Sequence, residues 1–157
     1  MTQPQDRCLI LACGNTLRSD DGVGLWLAEW AIKRFAENAE VRVIARHQWT
    51  LELSEDVARA ESVLFIDCSV DSQPGSVQLS PVEAAVLEPG MSTHHSGAAE
   101  LLALARDYYN SLPRNARQLT IGAGSTELGE VFSEAVTAAL PEACKRIEET
   151  VLQWVGV

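Results

Sequence analysis

The sequence predicts a three-layer α/β/α sandwich around a mostly parallel sheet. Short, strand-like apolar runs alternate with segments of helical periodicity along the whole chain. Those runs are nearly continuous rather than alternating with polar residues, the pattern of strands covered on both faces. No repeat, low-complexity tract or long linker interrupts the 157 residues, a length that suits one domain, so residues 1–157 are read as one.

The elements follow in order. Residues 8–13 form an apolar run closed by the turn signal Gly14-Asn15, a buried strand and its exit. Val23, Leu27, Trp30, Ala31 and Phe35 recur at spacings of three and four, one face of a first helix. Residues 41–45 read as the second strand and 51–60 as a short second helix. Residues 62–67 (SVLFID) are a third, near-continuous apolar strand. Asp71-Ser72-Gln73-Pro74-Gly75 is turn chemistry, and 76–79 a short strand suited to an edge. Ala98, Leu101, Leu102, Ala105 and Tyr109 mark the third helix, with Pro113 beyond its end. Residues 117–121 are the last strand. Ser133-Glu134 opens a final helix with the stripe Val136, Leu140, Cys144, Ile147, Val151 and Trp154, which Pro141 is expected to kink or restart.

Ligands of such folds sit beyond the carboxyl ends of the strands. The first strand leads into 14–24, a loop holding Asn15, Asp20 and Asp21. The third ends in Asp67, His47 follows the second, and His94-His95 precedes the third helix. Each has a structural alternative. Ser19, Asp20 or Asp21 would cap the first helix, Asp67 would start a turn, and the histidines would be loop residues. Two carboxylates and an imidazole together suit a mixed oxygen–nitrogen metal site. Three protein ligands leave room for water or substrate, the mark of a catalytic centre. An aspartate dyad acting as acid and base is the metal-free alternative. A nucleotide site is disfavoured, because Gly14, Gly22 and Gly24 make no phosphate-binding fingerprint and adjacent aspartates repel phosphate.

Composition narrows the partners. The net charge of −10 argues against nucleic acid and anionic membranes. No run of about 18 apolar residues and no signal segment is present, so a cytoplasmic protein is expected. Cys8, Cys13, Cys68 and Cys144 are scattered without a C-x-x-C pair, which suits reduced core thiols.

These motifs resemble those of the hydrogenase maturation proteases, which finish the large subunit of nickel–iron hydrogenases. CLILACGNTLRSDDGVGLWLAE is similar to the family's strand and G-N-x-L-x-x-D-[DE]-G-x-G loop. VLFIDCSVDSQPGSV resembles its strand ending in Asp before a Pro-Gly turn, and STHHSGAAELLALA its histidine segment. IGAGSTELGEVFSEAVTAALPEA resembles its C-terminal signature. The resemblance covers nearly the whole chain, in order, and implies a sheet of about five strands. It implies an endopeptidase, aspartic-type or metal-assisted, that removes the C-terminal extension of a nickel-loaded precursor. The implied nickel contacts are Asp21, Asp67 and His94, with His95, His47, Asn15 and Asp20 as further candidates. Asp21 and Asp67 are also the implied catalytic carboxylates. The nickel would arrive with the substrate, and a monomer is expected. Two departures stand out: several members carry Glu at the position of Asp21, and many have a glycine-rich segment where this chain has Arg46-His47-Gln48-Trp49-Thr50. Two rival functions use the same residues. One is a non-catalytic metal-binding chaperone docking on the precursor, and the other an unrelated hydrolase on the same scaffold.

Overall fold

The computed structural model of the chain describes residues 6–88 and 97–156. Strands β1 (Asp6–Cys13), β2 (Val41–Arg46), β3 (Ala60–Ser69), β4 (Val77–Pro81) and β5 (Asn115–Gly122) form one sheet. Helices α1 (Val23–Arg34), α2 (Leu53–Arg59), α3 (Ala98–Tyr109) and α4 (Glu134–Val155) cover it. The strand order is β2-β1-β3-β5-β4, parallel except for β4, which runs antiparallel along β5. The expected three-layer sandwich with five strands is what the chain adopts.

The burial pattern explains the apolar runs. Alternate residues of β1 and β3 enter two different cores. Cys8, Ile10, Ala12, Leu64 and Ile66 pack with α1 and α4 on one face. Leu9, Leu11, Val63 and Phe65 pack with α2 and α3 on the other. A central strand with both faces covered has no side left for polar residues. On the edge strand β4, Val77 and Leu79 pack inward while Gln78 and Ser80 are exposed, the alternation of a half-covered strand.

Several boundaries shift by one to a few residues, and two differences from the sequence reading matter most. β3 continues past Asp67 to Ser69, because pairing with β5 extends to Ser69 opposite Gly122. Asp67 therefore lies inside a strand rather than at its end. α4 runs through Pro141 as one assigned helix. Proline lacks an N–H for the carbonyl four residues back, but the first helical turn on either side is retained. Its buried stripe is Val136, Ala139, Ala143, Ile147, Val151 and Val155, with Leu140, Cys144 and Trp154 half-buried beside it.

The strand order places the site. From β1 the chain crosses through α1 to β2 on one side, then returns through α2 to β3 on the other. The order thus reverses between β1 and β3. At such a switch point the two loops leave in opposite directions and open a crevice at the strands' carboxyl ends. β1 ends there in Cys13, and β3 presents Asp67.

Candidate active site

The loop leaving β1 is folded by its own polar groups. The Asn15 amide donates to the Asp21 carbonyl (3.1 Å) and to Asp21 Oδ2 (3.0 Å). Asn15 Oδ1 accepts from the Leu17 amide (2.9 Å), an Asx turn. Asn15 is thus a turn-former whose side-chain oxygen is already engaged. The chain then makes a single 3-10 turn, Ser19–Gly22, and passes into α1. Two glycines make this crossing: a Cβ on Gly14 would strike the Asp21 carbonyl oxygen, and one on Gly24 the Cys13 carbonyl oxygen. The glycine spacing of the motif therefore lets backbone lie on backbone and holds Asp21 over the end of β1.

The two adjacent aspartates of that turn have different environments. Asp20 is fully buried. Its Oδ2 accepts from the Gly124 amide (2.7 Å), the Ser125 amide (2.9 Å) and Ser133 Oγ (2.7 Å), and its Oδ1 from the Ser133 amide (2.7 Å). Burial alone would raise the pKa of this carboxyl, but these donors outweigh it and hold the group below the usual carboxylate range. With both oxygens bonded, Asp20 anchors the 124–133 loop and does not offer a lone pair to an incoming ion. Neighbouring contacts reinforce the anchor: Ser19 Oγ donates to the Glu127 carbonyl (2.8 Å), and the Ser19 and Gly129 amides bond across to Gly129 and Leu17. Ser133 also accepts from the Val136 amide as the cap of α4. Asp21 is only half-buried, and its carboxylate accepts from the Asn15 amide.

Asp67 is also half-buried, on the α2/α3 face. Its Oδ1 accepts from the Cys68 amide (2.7 Å) and from Cys13 Sγ (3.3 Å). No hydrogen bond from another described residue reaches Oδ2. Burial raises the Asp67 pKa; the two donors oppose that and the charge of Asp21 adds to it. Asp21 lies on the loop leaving β1 and Asp67 on β3, the strand paired with β1. The same carboxylates and burial push both neighbouring thiols up, Cys68 to about 12, so both are neutral at ordinary pH.

Asp67 lines a cleft of about 440 Å³ with Cys13, Gln48, Trp49 and the first residues of α3, Gly97 to Glu100. Trp49 is buried edge-on against Phe65, with ring centroids 5.4 Å apart. It comes from the 46–50 segment, so Gln48 and Trp49 reach the cleft whereas His47 is exposed and is not among the lining residues. His94 and His95 lie outside the described residues. Among the described residues no group of three His, Cys, Asp or Glu side chains is placed to hold a metal.

Cys13, Trp49 and Ser133 were not singled out from the sequence. Cys13 meets Asp67 only because β1 and β3 pair in the register Ala12 opposite Ile66, a relation between positions 54 apart. Ser133 as the partner of Asp20 is equally non-local. The cue for Trp49 was weak: a large aromatic in an otherwise polar connection.

No protein-family model and no curated protein matches the sequence. Solved structures do. The hydrogenase maturating endopeptidase HybD from E. coli superposes with a TM-score of 0.75 at 19% identity, covering 94% of this chain and 93% of that one. The hydrogenase 2 maturation peptidase from a Thaumarchaeota archaeon gives 0.66 at 25% identity, covering 92% and 97%. The [NiFe] hydrogenase maturation protease HybD from Thermococcus kodakarensis gives 0.67 at 23% identity, covering 92% and 98%. The fold of this chain is the fold of those endopeptidases along nearly their whole length.

Proposed function

We propose that this chain is an endopeptidase that removes the C-terminal extension of a nickel-loaded hydrogenase large-subunit precursor. The observation that carries it is the fold shared over nearly the whole chain with hydrogenase maturation endopeptidases, with Asp21 on the loop leaving β1 and Asp67 on the adjacent β3 at the switch point.

The residues divide the work as follows. The nickel arrives on the substrate and is read by Asp21 and Asp67, with His94 or His95 as the imidazole contact. Carboxylate and imidazole are suited to that ion, and a half-exposed pair leaves positions for the groups that already hold it. Because the ion belongs to the precursor, an unloaded precursor lacks what the protease recognises. Asp67 is anchored through Oδ1, which leaves Oδ2 to face the cleft chemistry. Asp67 takes a proton from the water that attacks the scissile carbonyl carbon. It returns the proton to the leaving nitrogen as the C–N bond breaks, giving a new carboxyl terminus and a free amine. The first turn of α3 borders the cleft, and the amides at a helix N-terminus present partial positive charge to the oxygen that becomes anionic.

A gel assay of precursor shortening tests this reading. Wild-type protein is expected to shorten nickel-loaded precursor and leave metal-free precursor intact, and a folded Asp67→Asn variant to leave both intact. Normal processing by Asp67→Asn would sink the role given to Asp67. Equal cleavage of loaded and unloaded precursor would remove nickel recognition while keeping the peptidase. Stable binding without any change of length would favour the chaperone instead.

A further inference from the structure

On the other face of the switch point, the Asp20-anchored loop makes a second surface. Thr16, Gly22, Trp26, Glu29, Glu130 and Phe132 border a groove of about 170 Å³ between the first loop, α1 and the 124–133 loop. Gly22 directly follows Asp21, so the groove begins where the candidate active site ends. Its floor is aromatic and its rim carries two carboxylates. Around it stand Leu128 at 83% exposure, Val131 at 81% and Leu17 at 58%. These exposed side chains sit on two loops joined by backbone hydrogen bonds between Gly129 and both Leu17 and Ser19, and exposed apolar side chains gathered on joined loops mark interaction sites. Both ionisable residues lining the groove are acids, Glu29 and Glu130, and Arg18 of the first loop stands beside it, bridged to Gly129.

We infer that this groove docks a segment of the precursor protein in which an apolar side chain adjoins a Lys or Arg, at a place separate from the peptide that is cut. This rests on the proposed endopeptidase reading. The apolar side chain enters between Trp26 and Phe132. The cation meets Glu29 and Glu130 and lies within reach of the Trp26 ring face, an arrangement that favours Arg. A second copy of this chain is the poorer occupant, since a two-fold contact would set these carboxylates against each other on a molecule of charge −10. The groove also answers a geometric need. An open cleft at Asp67 holds only a few residues, whereas a second contact on the opposite face fixes the precursor across the edge of the sheet.

The test is a kinetic comparison on nickel-loaded precursor of wild type, Glu29→Lys/Glu130→Lys and Glu29→Gln/Glu130→Gln. Both glutamates are exposed, and the melting temperature of each variant checks that the fold is kept. Charge reversal is expected to lower kcat/KM roughly tenfold, carried by KM, with the amide pair intermediate. The wild-type KM is expected to rise with salt and that of the reversed variant to lose this dependence. An unchanged KM in the reversed variant, with wild-type cleavage normal, overturns the docking site and leaves the endopeptidase standing. Should wild type not cleave, immobilised precursor is used to measure binding directly. Weaker binding by the reversed variant then keeps the docking site while the endopeptidase reading fails, and equal binding removes both.

Discussion

Asp20→Ala should cost far more stability than its place in a surface loop suggests. The carboxylate accepts four hydrogen bonds, all within 2.7–2.9 Å, and is fully buried. Bonds to a charged acceptor are worth about 1.5–3 kcal/mol each. They share one anchor and the loop can turn partly to water, so the simple sum is too large. Removing one partner of a buried charged network typically costs about 3–5 kcal/mol, which is the figure expected here. For a chain of this size each kcal/mol moves the melting temperature by about 2–4 °C, so a fall on the order of 10 °C should be seen by circular dichroism. The pH dependence identifies the charge. The folded-state pKa of Asp20 lies below its unfolded value, so its stabilisation is complete above about pH 4 and is lost as the pH falls through the folded value. The gap between wild type and Asp20→Asn should therefore be wide at pH 7 and close towards pH 2. A melting temperature within 2 °C of wild type at pH 7 would refute the anchoring argument, and a gap independent of pH would show that the charge is not what anchors the loop.

Asp67 should behave with the opposite sign. Its pKa is raised by burial, so the carboxylate's cost appears as the pH rises through the folded value; calorimetry of Asp67→Asn should show a higher melting temperature at pH 7 and none of that gain at pH 3. Gly24→Ala places a methyl group against the Cys13 backbone carbonyl, which cannot rotate away; a loss of at least about 1–3 kcal/mol in urea unfolding is expected. Pro141→Ala restores a donor inside α4 and should stabilise the protein by up to about 3 kcal/mol, read from the same urea midpoint, unless the local helix is bent enough to satisfy its carbonyls already.

The layers of this fold were legible because they are set by local pattern. A strand buried on both faces has to read as a continuous apolar run, as in SVLFID, and a helix on its surface has to repeat every three or four residues. The glycine–aspartate loop was legible for a related reason: its backbone crossing tolerates almost nothing but glycine at positions 14 and 24. What was hidden depends on pairing between distant segments. Nothing near Asp67 says that β3 runs on to Ser69, since that follows from its register with β5. Nothing near Asp20 or Asp21 says which one turns inward, since the donors that decide it come from residues 124 to 133. The Cys13 thiol looked like core filling by composition, and half of that is right: it is neutral and packed, but it also orients a candidate catalytic carboxylate.

The adjacent aspartates therefore make a single device. A short 3-10 turn sends neighbouring side chains in different directions, so Asp20 is drawn into the molecule while Asp21 stays half-buried. The inward one accepts from the Gly124, Ser125 and Ser133 amides, and through them fixes the loop that precedes α4. Fixing that loop also fixes the turn, because Ser19 and Leu17 are hydrogen-bonded to it on the same side. Asp21 is thus held by backbone on both flanks with its own carboxylate left half open. The proposed contact of Asp21 with a cation brought by another protein calls for that combination: a position settled in advance, so that little ordering cost falls on binding, and a charge not already neutralised by the fold. Asp20 supplies the first condition by accepting four hydrogen bonds, and Asp21 supplies the second by accepting few.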